Sequence, residues 1–167
     1  LLRKMPDDVP VSLGDMIDRG PRSLEVLKFF QQHGLALLGN HEHMMLDYFK
    51  GSENYIPGHW LMNSGKTTLR SLGLESSGSI PVTLQNYLES LPLLLLREGL
   101  LATHAPIHKR RSLEDISSRD HLEQSPREQS LIWNRQDPVQ REGYFQVFGH
   151  NGYRYLRPRF FGRVFEN

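Results

Sequence analysis

Short apolar runs that end in small polar clusters recur along this chain. Val9 to Leu13 is such a run and closes at Gly14, the pattern of a buried strand. Ser23 stands where a helix N-cap is expected, and Leu24, Leu27 and Phe30 give one apolar face to a helix reaching Gln32. Gly34 stops it, and Leu35 to Leu38 reads as the next buried strand, ending at Gly39. Strand, helix, strand predicts a parallel crossover unit. Met44 to Phe49 predicts another helix, and its apolar positions, like those of the first, are core candidates. A polar stretch punctuated by Gly and Pro leads to Trp60. Helices are then expected over Lys66 to Leu72 and Thr83 to Glu89. Leu93 to Arg97 and Leu100 to Thr103 flank Glu98-Gly99, a hairpin signal. Ser112 to Glu128 is polar and reads as surface helix and loop. Tyr144 to Phe148 is the last strand, closing at Gly149.

Four of these strands end at or next to a possible metal ligand: Gly14-Asp15, Gly39-Asn40-His41, Thr103-His104 and Gly149-His150. Open α/β sheets hold ligands just beyond the carboxyl ends of their strands. The four clusters are therefore expected to share one site.

Composition narrows the chemistry. The chain has 167 residues, enough for one domain with a core of its own, read as spanning 1–167. It has no cysteine, which excludes disulfides, thiolate metal sites and a catalytic thiol together. Any metal must sit on imidazole, carboxylate or amide oxygen. A net charge of +1 favours no class of partner. The most apolar stretch, Leu91 to Leu101, is interrupted by Pro92, Arg97, Glu98 and Gly99 and is too short to cross a bilayer. No signal peptide is visible, although the chain opens at Leu1 rather than Met, and a cytoplasmic protein is expected.

Taken singly, each candidate has an ordinary reading. Asp15 suits a turn, His104 a hydrogen-bonded core histidine, Arg19 a solvated side chain, and Arg135 a packing partner of Trp133. Their order changes the reading. Gly14-Asp15-Met16-Ile17-Asp18-Arg19-Gly20, then Gly39-Asn40-His41-Glu42, then His104-Ala105, then Gly149-His150 resembles the phosphoprotein phosphatase family of the calcineurin-like metallophosphoesterases. Trp60, Asn63-Ser64-Gly65, Leu91-Pro92-Leu93 and Ile132-Trp133-Asn134-Arg135 resemble the phage and bacterial serine/threonine phosphatases of that family.

The resemblance implies an α/β fold, a sandwich of two mixed sheets flanked by helices. It also implies two divalent metal ions, with manganese expected and iron or zinc possible. Asp15 would bridge them, and Asn40, His104 and His150 would complete the ligands of the second. His41 would be the general acid, oriented by Asp18. Arg19 and Arg135 would grip phosphate oxygens, for which a planar guanidinium suits better than lysine. Asn40 is also expected at the substrate. The implied substrate is a phosphomonoester, foremost phosphoserine or phosphothreonine in a protein. A dinucleoside polyphosphate is the alternative, although those hydrolases tend to show Gly-Asn-His-Asp and lack the Asp-Arg-Gly form. His33, His43, His59, His108 and His121 match no motif position and read as surface or structural.

A third class is a non-catalytic phosphate- or nucleic-acid-binding module. It would rest on His108-Lys109-Arg110-Arg111 and on the alternation of Arg154, Arg157, Arg159 and Arg163 with Tyr153, Tyr155, Phe160 and Phe161. The ordinary reading is a solvated loop and an amphipathic edge strand, so nucleic acid is not an expected partner.

The family's first motif, an Asp-x-His one crossover unit upstream, has no counterpart here. Such a unit takes roughly 30 residues, and thirteen precede Gly14. Asp7-Asp8 is the nearest acidic pair and reads as a surface turn. No Ile-Asp-x-Gly sequence follows Asn151. The expectation is a piece of a normal enzyme, incomplete at both ends, rather than a decayed remnant, because the motifs present are intact. A missing first strand would leave a sheet edge bare. These 167 residues alone should therefore hydrolyse a chromogenic phosphomonoester weakly or not at all with added manganese, and robust turnover would contradict that.

Overall fold

The computed structural model describes residues 8–152 apart from 52–55, 57, 75–77 and 117, and omits the side chain of 123. The basic and aromatic alternation beginning at Tyr153 lies outside the described residues. The chain divides into two compact units, Leu1–Pro92 and Leu93–Asn167.

The first unit is the expected crossover. Strand β1 (Val11–Ser12) lies parallel to β2 (Leu35–Ala36), joined by α1 (Ser23–His33). Both strands are shorter than their apolar runs. The backbone beyond β2 still bonds in extended form, with Leu37 N–H donating to Ser12 O and Leu38 N–H to Pro92 O, each at 2.9 Å. Among the described residues these two strands pair only with each other. Leu27 points the α1 face inward and is buried, whereas Leu24 and Phe30 are only half-buried. Gly34 ends α1 where a Cβ would stand 2.6 Å from Pro10 O, so the helix can turn into β2 only with glycine there.

Helix α2 (Asn40–Lys50) starts four residues before the expected Met44, and its first turn is built from the polar residues Asn40 to His43. Met44, Met45 and Leu46 bury their side chains, and Phe49 is half-buried. A wide, π-type turn over Leu61–Gly65 feeds α3 (Lys66–Leu72). Its kink lies at Asn63 and Ser64, the latter at φ +78°. Helix α4 (Val82–Ser90) closes the unit and buries Leu88.

Ser23 is not a helix cap. It lies inside α1, the cap position is Arg22, and no side chain bonds the cap. Its hydroxyl instead meets Thr68 Oγ1 at 3.2 Å, a tertiary partner that outcompetes the local one.

The second unit is a mixed sheet in the order β3-β4-β5. β3 (Leu94–Arg97) and β4 (Leu100–Thr103) form the predicted hairpin, with Glu98 and Gly99 both at positive φ, as a tight two-residue turn demands. β5 (Phe145–Phe148) runs parallel to β4, with Thr103 opposite Phe148, and Tyr144 stands just outside it. Between them lie α5 (Asp120–Gln124) and a short 3₁₀ turn (Arg127–Gln129). This polar segment is not all surface. Ile116 and His121 are buried. No helix among the described residues is long and apolar enough to cross a membrane.

His121 shows why a buried histidine there is structural. Leu131 N–H donates to its Nε2 at 3.3 Å, and Ser125 Oγ lies 2.8 Å from its Nδ1. Burial holds its pKa below the ordinary 6.5, aided by Arg111 and opposed by Asp115. A depressed folded pKa means the neutral ring stabilises the fold above the unfolded value, and that contribution is lost as pH falls through it. The unfolding free energy should therefore drop more between neutral pH and about pH 5 in the parent chain than in His121→Gln. Urea melts at both values check this, and equal drops would refute it.

Candidate active site

The loop after β1 carries the first motif, and the start of α2 carries the second. Glu42 joins them. Its carboxylate, fully buried, accepts the N–H groups of Asp15 (2.9 Å), Met16 (2.6 Å) and Gly39 (3.0 Å). The bond to Gly39 is half of a capping box, with the acid in the first turn of the helix where the dipole favours it. Burial, with Asp15 adding repulsion, pushes the Glu42 pKa up to about 7 against these donors. Gly39 is required by the crowding, since a Cβ would lie 2.6 Å from both Asp15 Oδ1 and Glu42 Oε2. Asp15 Oδ1 in turn accepts His41 N–H at 3.3 Å. Asn40 and His41 are buried at the start of α2.

Asp18 and His41 meet as the motif implied. Asp18 Oδ2 lies 2.5 Å from His41 Nδ1 in a buried setting. A carboxylate only accepts, so Nδ1 carries the hydrogen and Nε2 faces the other way. Arg19 Nη2 stands 3.4 Å from that Nε2. For the His41 pKa, burial is the largest influence and acts downward. The hydrogen bond to Asp18 and the charges of Asp15 and Asp18 outweigh it, with Arg19 opposing, and the net shift is upward.

Two further residues hold Asp18. Trp60 Nε1 donates to Oδ2 at 3.0 Å, and Thr68 Oγ1 donates to Oδ1 at 2.5 Å. Trp60 is fully buried beside Tyr48 and Phe49, at ring distances of 5.2 and 5.9 Å. It packs so closely on Gly65 that a Cβ there would stand 2.6 Å from the indole.

In the second unit the parallel register does the positioning. β4 and β5 end together, Gly149 N–H donates to His104 O at 2.9 Å, and the two histidines follow. His104 Nε2 and His150 Nδ1 are 3.1 Å apart. Ring nitrogens this close either share one proton or turn their lone pairs toward a common cation, and imidazole suits manganese, iron or zinc. Trp133 meets His150 edge-on at 6.1 Å and carries the Arg127 guanidinium 3.8 Å over its ring. Arg135 is exposed, in a turn pinned by buried Asn134, whose Nδ2 donates to Pro106 O at 2.8 Å. Ala105 N–H donates to Leu131 O at 2.8 Å and ties the same two segments. His108 and His121 are buried as structural residues, and His43 pairs with Asp47 at 3.2 Å.

Backbone strain concentrates on the same residues. Among the described non-glycine residues, positive φ occurs at Asp15, Asp18, Arg19, Ser64, Glu98 and His150. Four of these six carry candidate chemistry. Such conformations cost about 1–3 kcal/mol each and cluster where side-chain placement matters more than backbone comfort.

The profile of the calcineurin-like phosphoesterases matches residues 1–166. The chain belongs to that family. Over 59 residues it is 46% identical to serine/threonine-protein phosphatase 1 of Salmonella typhimurium, a stretch covering 35% of this chain and 26% of that protein. Against serine/threonine-protein phosphatase 2 of Escherichia coli the identity is 41%, with the same 35% and 26% coverage. The match thus spans about a quarter of these relatives' length. A solved structure of a candidate diadenosine tetraphosphatase superposes with a TM-score of 0.54 at 20% identity, covering 89% of this chain and 64% of that one, and agrees in fold. The α/β architecture and membership of the calcineurin-like phosphoesterases are thereby established, and with them a role for divalent metal.

Sequence reasoning has Glu42 and Trp60 only as motif landmarks, without their structural roles, and misses Thr68. Glu42 was visible as an acid at the third position of a helix, the spacing of a capping box. Glu42→Ala leaves the buried N–H groups of Met16 and Gly39 and the half-buried one of Asp15 without this acceptor, at about 1–3 kcal/mol for each buried group, so a loss of about 3 kcal/mol in unfolding free energy is expected. A denaturant titration checks it, and a loss below about 1 kcal/mol would refute it.

Proposed function

We propose that this chain is the catalytic region of a cytoplasmic metal-dependent phosphatase that removes phosphate from serine or threonine in proteins. The observation that carries the reading is the buried Asp18–His41 pair with Arg19 beside the outward-facing imidazole nitrogen. Residues 1–167 are taken as one catalytic domain in which Asp15, Asn40, His104 and His150 hold divalent metal, manganese foremost. When bound, the metal neutralises phosphate charge and lowers the pKa of water so that it can attack near neutral pH.

The remaining work falls to the chain's own residues. Arg19 and Arg135 present planar donors to the phosphate oxygens and fix its orientation. His41, protonated on both nitrogens, gives the Nε2 proton to the departing serine or threonine alkoxide. Asp18 holds Nδ1–H and stabilises the cationic ring, which is the function of a carboxylate behind a general acid. The upward shift of the His41 pKa suits that role. The Gly-Asn-His-Glu and Asp-Arg-Gly strings favour a phosphoprotein over a dinucleoside polyphosphate.

The test uses the full-length protein with manganese, comparing a phosphoserine peptide with diadenosine tetraphosphate. The peptide should be the better substrate by kcat/KM, and His41→Asn should lower kcat on it by about 100-fold or more. Preference for diadenosine tetraphosphate would replace this reading with the other hydrolase, and an unchanged kcat in His41→Asn would remove the acid.

A further inference from the structure

Asp18 can serve His41 only if its carboxylate is kept from turning, and one hydroxyl is placed to do that. Thr68 Oγ1 donates to Asp18 Oδ1 at 2.5 Å and accepts the Asp18 backbone N–H at 2.9 Å. Its single proton is committed to the carboxylate, so the neighbouring Ser23 hydroxyl, 3.2 Å away, must be the donor to Thr68. The order of donation is then fixed throughout: Ser23 to Thr68, Thr68 to Oδ1, Trp60 and His41 to Oδ2. Thr68 is fully buried, and both it and Trp60 reach Asp18 because the wide turn over Leu61–Gly65 folds the chain back between them.

We infer that Thr68 is a positioning residue for the proposed general acid, acting through both the carboxylate and the backbone of Asp18. The inference rests on the reading of His41 given above. Asp18 has φ +66°, a conformation that needs outside support, and Thr68 supplies a bond to its N–H as well as to its side chain. With the hydroxyl gone, Oδ1 loses its donor, the carboxylate is free to rotate, and the imidazole it steers moves with it. A displacement of the order of 1 Å at a reacting atom can cost about 100-fold in rate. Thr68 touches no substrate in this scheme, so its effect must follow the need for an acid.

That need depends on the leaving group. A serine alkoxide requires a proton as it departs, whereas p-nitrophenolate leaves without one. The experiment therefore measures kcat and KM of the full-length manganese enzyme on a phosphoserine peptide and on p-nitrophenyl phosphate. In Thr68→Val the ratio of the two kcat values, peptide over aryl ester, should fall about tenfold, with KM for the peptide little altered. Thr68→Ser, which keeps the hydroxyl, should restore the ratio. Trp60→Phe, which removes the donor to Oδ2, should lower it as well and decides the matter if Thr68→Val does not fold. His41→Asn must show a larger fall of the same kind. If it does not, the acid reading fails and this inference with it. If His41→Asn shows the fall but Thr68→Val and Trp60→Phe lose both substrates equally, or neither, the positioning role is wrong while the acid stands.

Discussion

The first unit is organised around a buried carboxylate, that of Glu42. Three backbone N–H groups from two separate loops converge on it, two of them in a buried setting and that of Asp15 in a half-buried one. Burying an acid is costly, and its pKa near 7 records that cost. The return is geometric. The Gly14–Gly20 loop and the first turn of α2 come from opposite ends of a crossover unit, and Glu42 sets their distance. The contact between Asp15 and the His41 backbone, and the close approach that requires glycine at position 39, follow from it.

Much of the fold was legible because apolar runs, glycines and turn residues agree with one another. The crossover, the hairpin at Glu98-Gly99 and the existence of β5 follow from local pattern, whereas the parallel pairing of β5 with β4 is set by tertiary structure. What local pattern missed has a common cause. Helix α2 was read four residues short because its first turn is polar, and those polar residues are buried for their chemistry rather than for their hydropathy. Ser23 has the residue type of a cap, yet a hydroxyl from a distant helix claims it. The division of the chain at Pro92 has no linker to announce it, since Leu91-Pro92-Leu93 continues an apolar stretch.

The candidate site was legible in a different way. Asp18 and His41 could be paired because ordered motifs carry meaning that single residues lack. Thr68 carried no such mark: it is an unremarkable threonine on a short helix, fifty residues from Asp18. Hydrogen-bond direction shows its place, because a buried hydroxyl has one proton and must spend it in one direction. Trp60 lay between these cases. Its position in a polar, glycine-bearing stretch hints at a fixed partner for the indole N–H, without saying which.

The left-handed backbone at Asp15, Asp18, Arg19 and His150 has a consequence for how such a chain can change. Glycine at any of the four would relax the main chain while deleting the functional group. A search for hardier variants scored by melting temperature alone would thus be drawn toward sequences in which the motifs are erased. Robustness and chemistry compete here at the same atoms, so improvement without loss has to be sought elsewhere, on helix surfaces such as the outward side of α1.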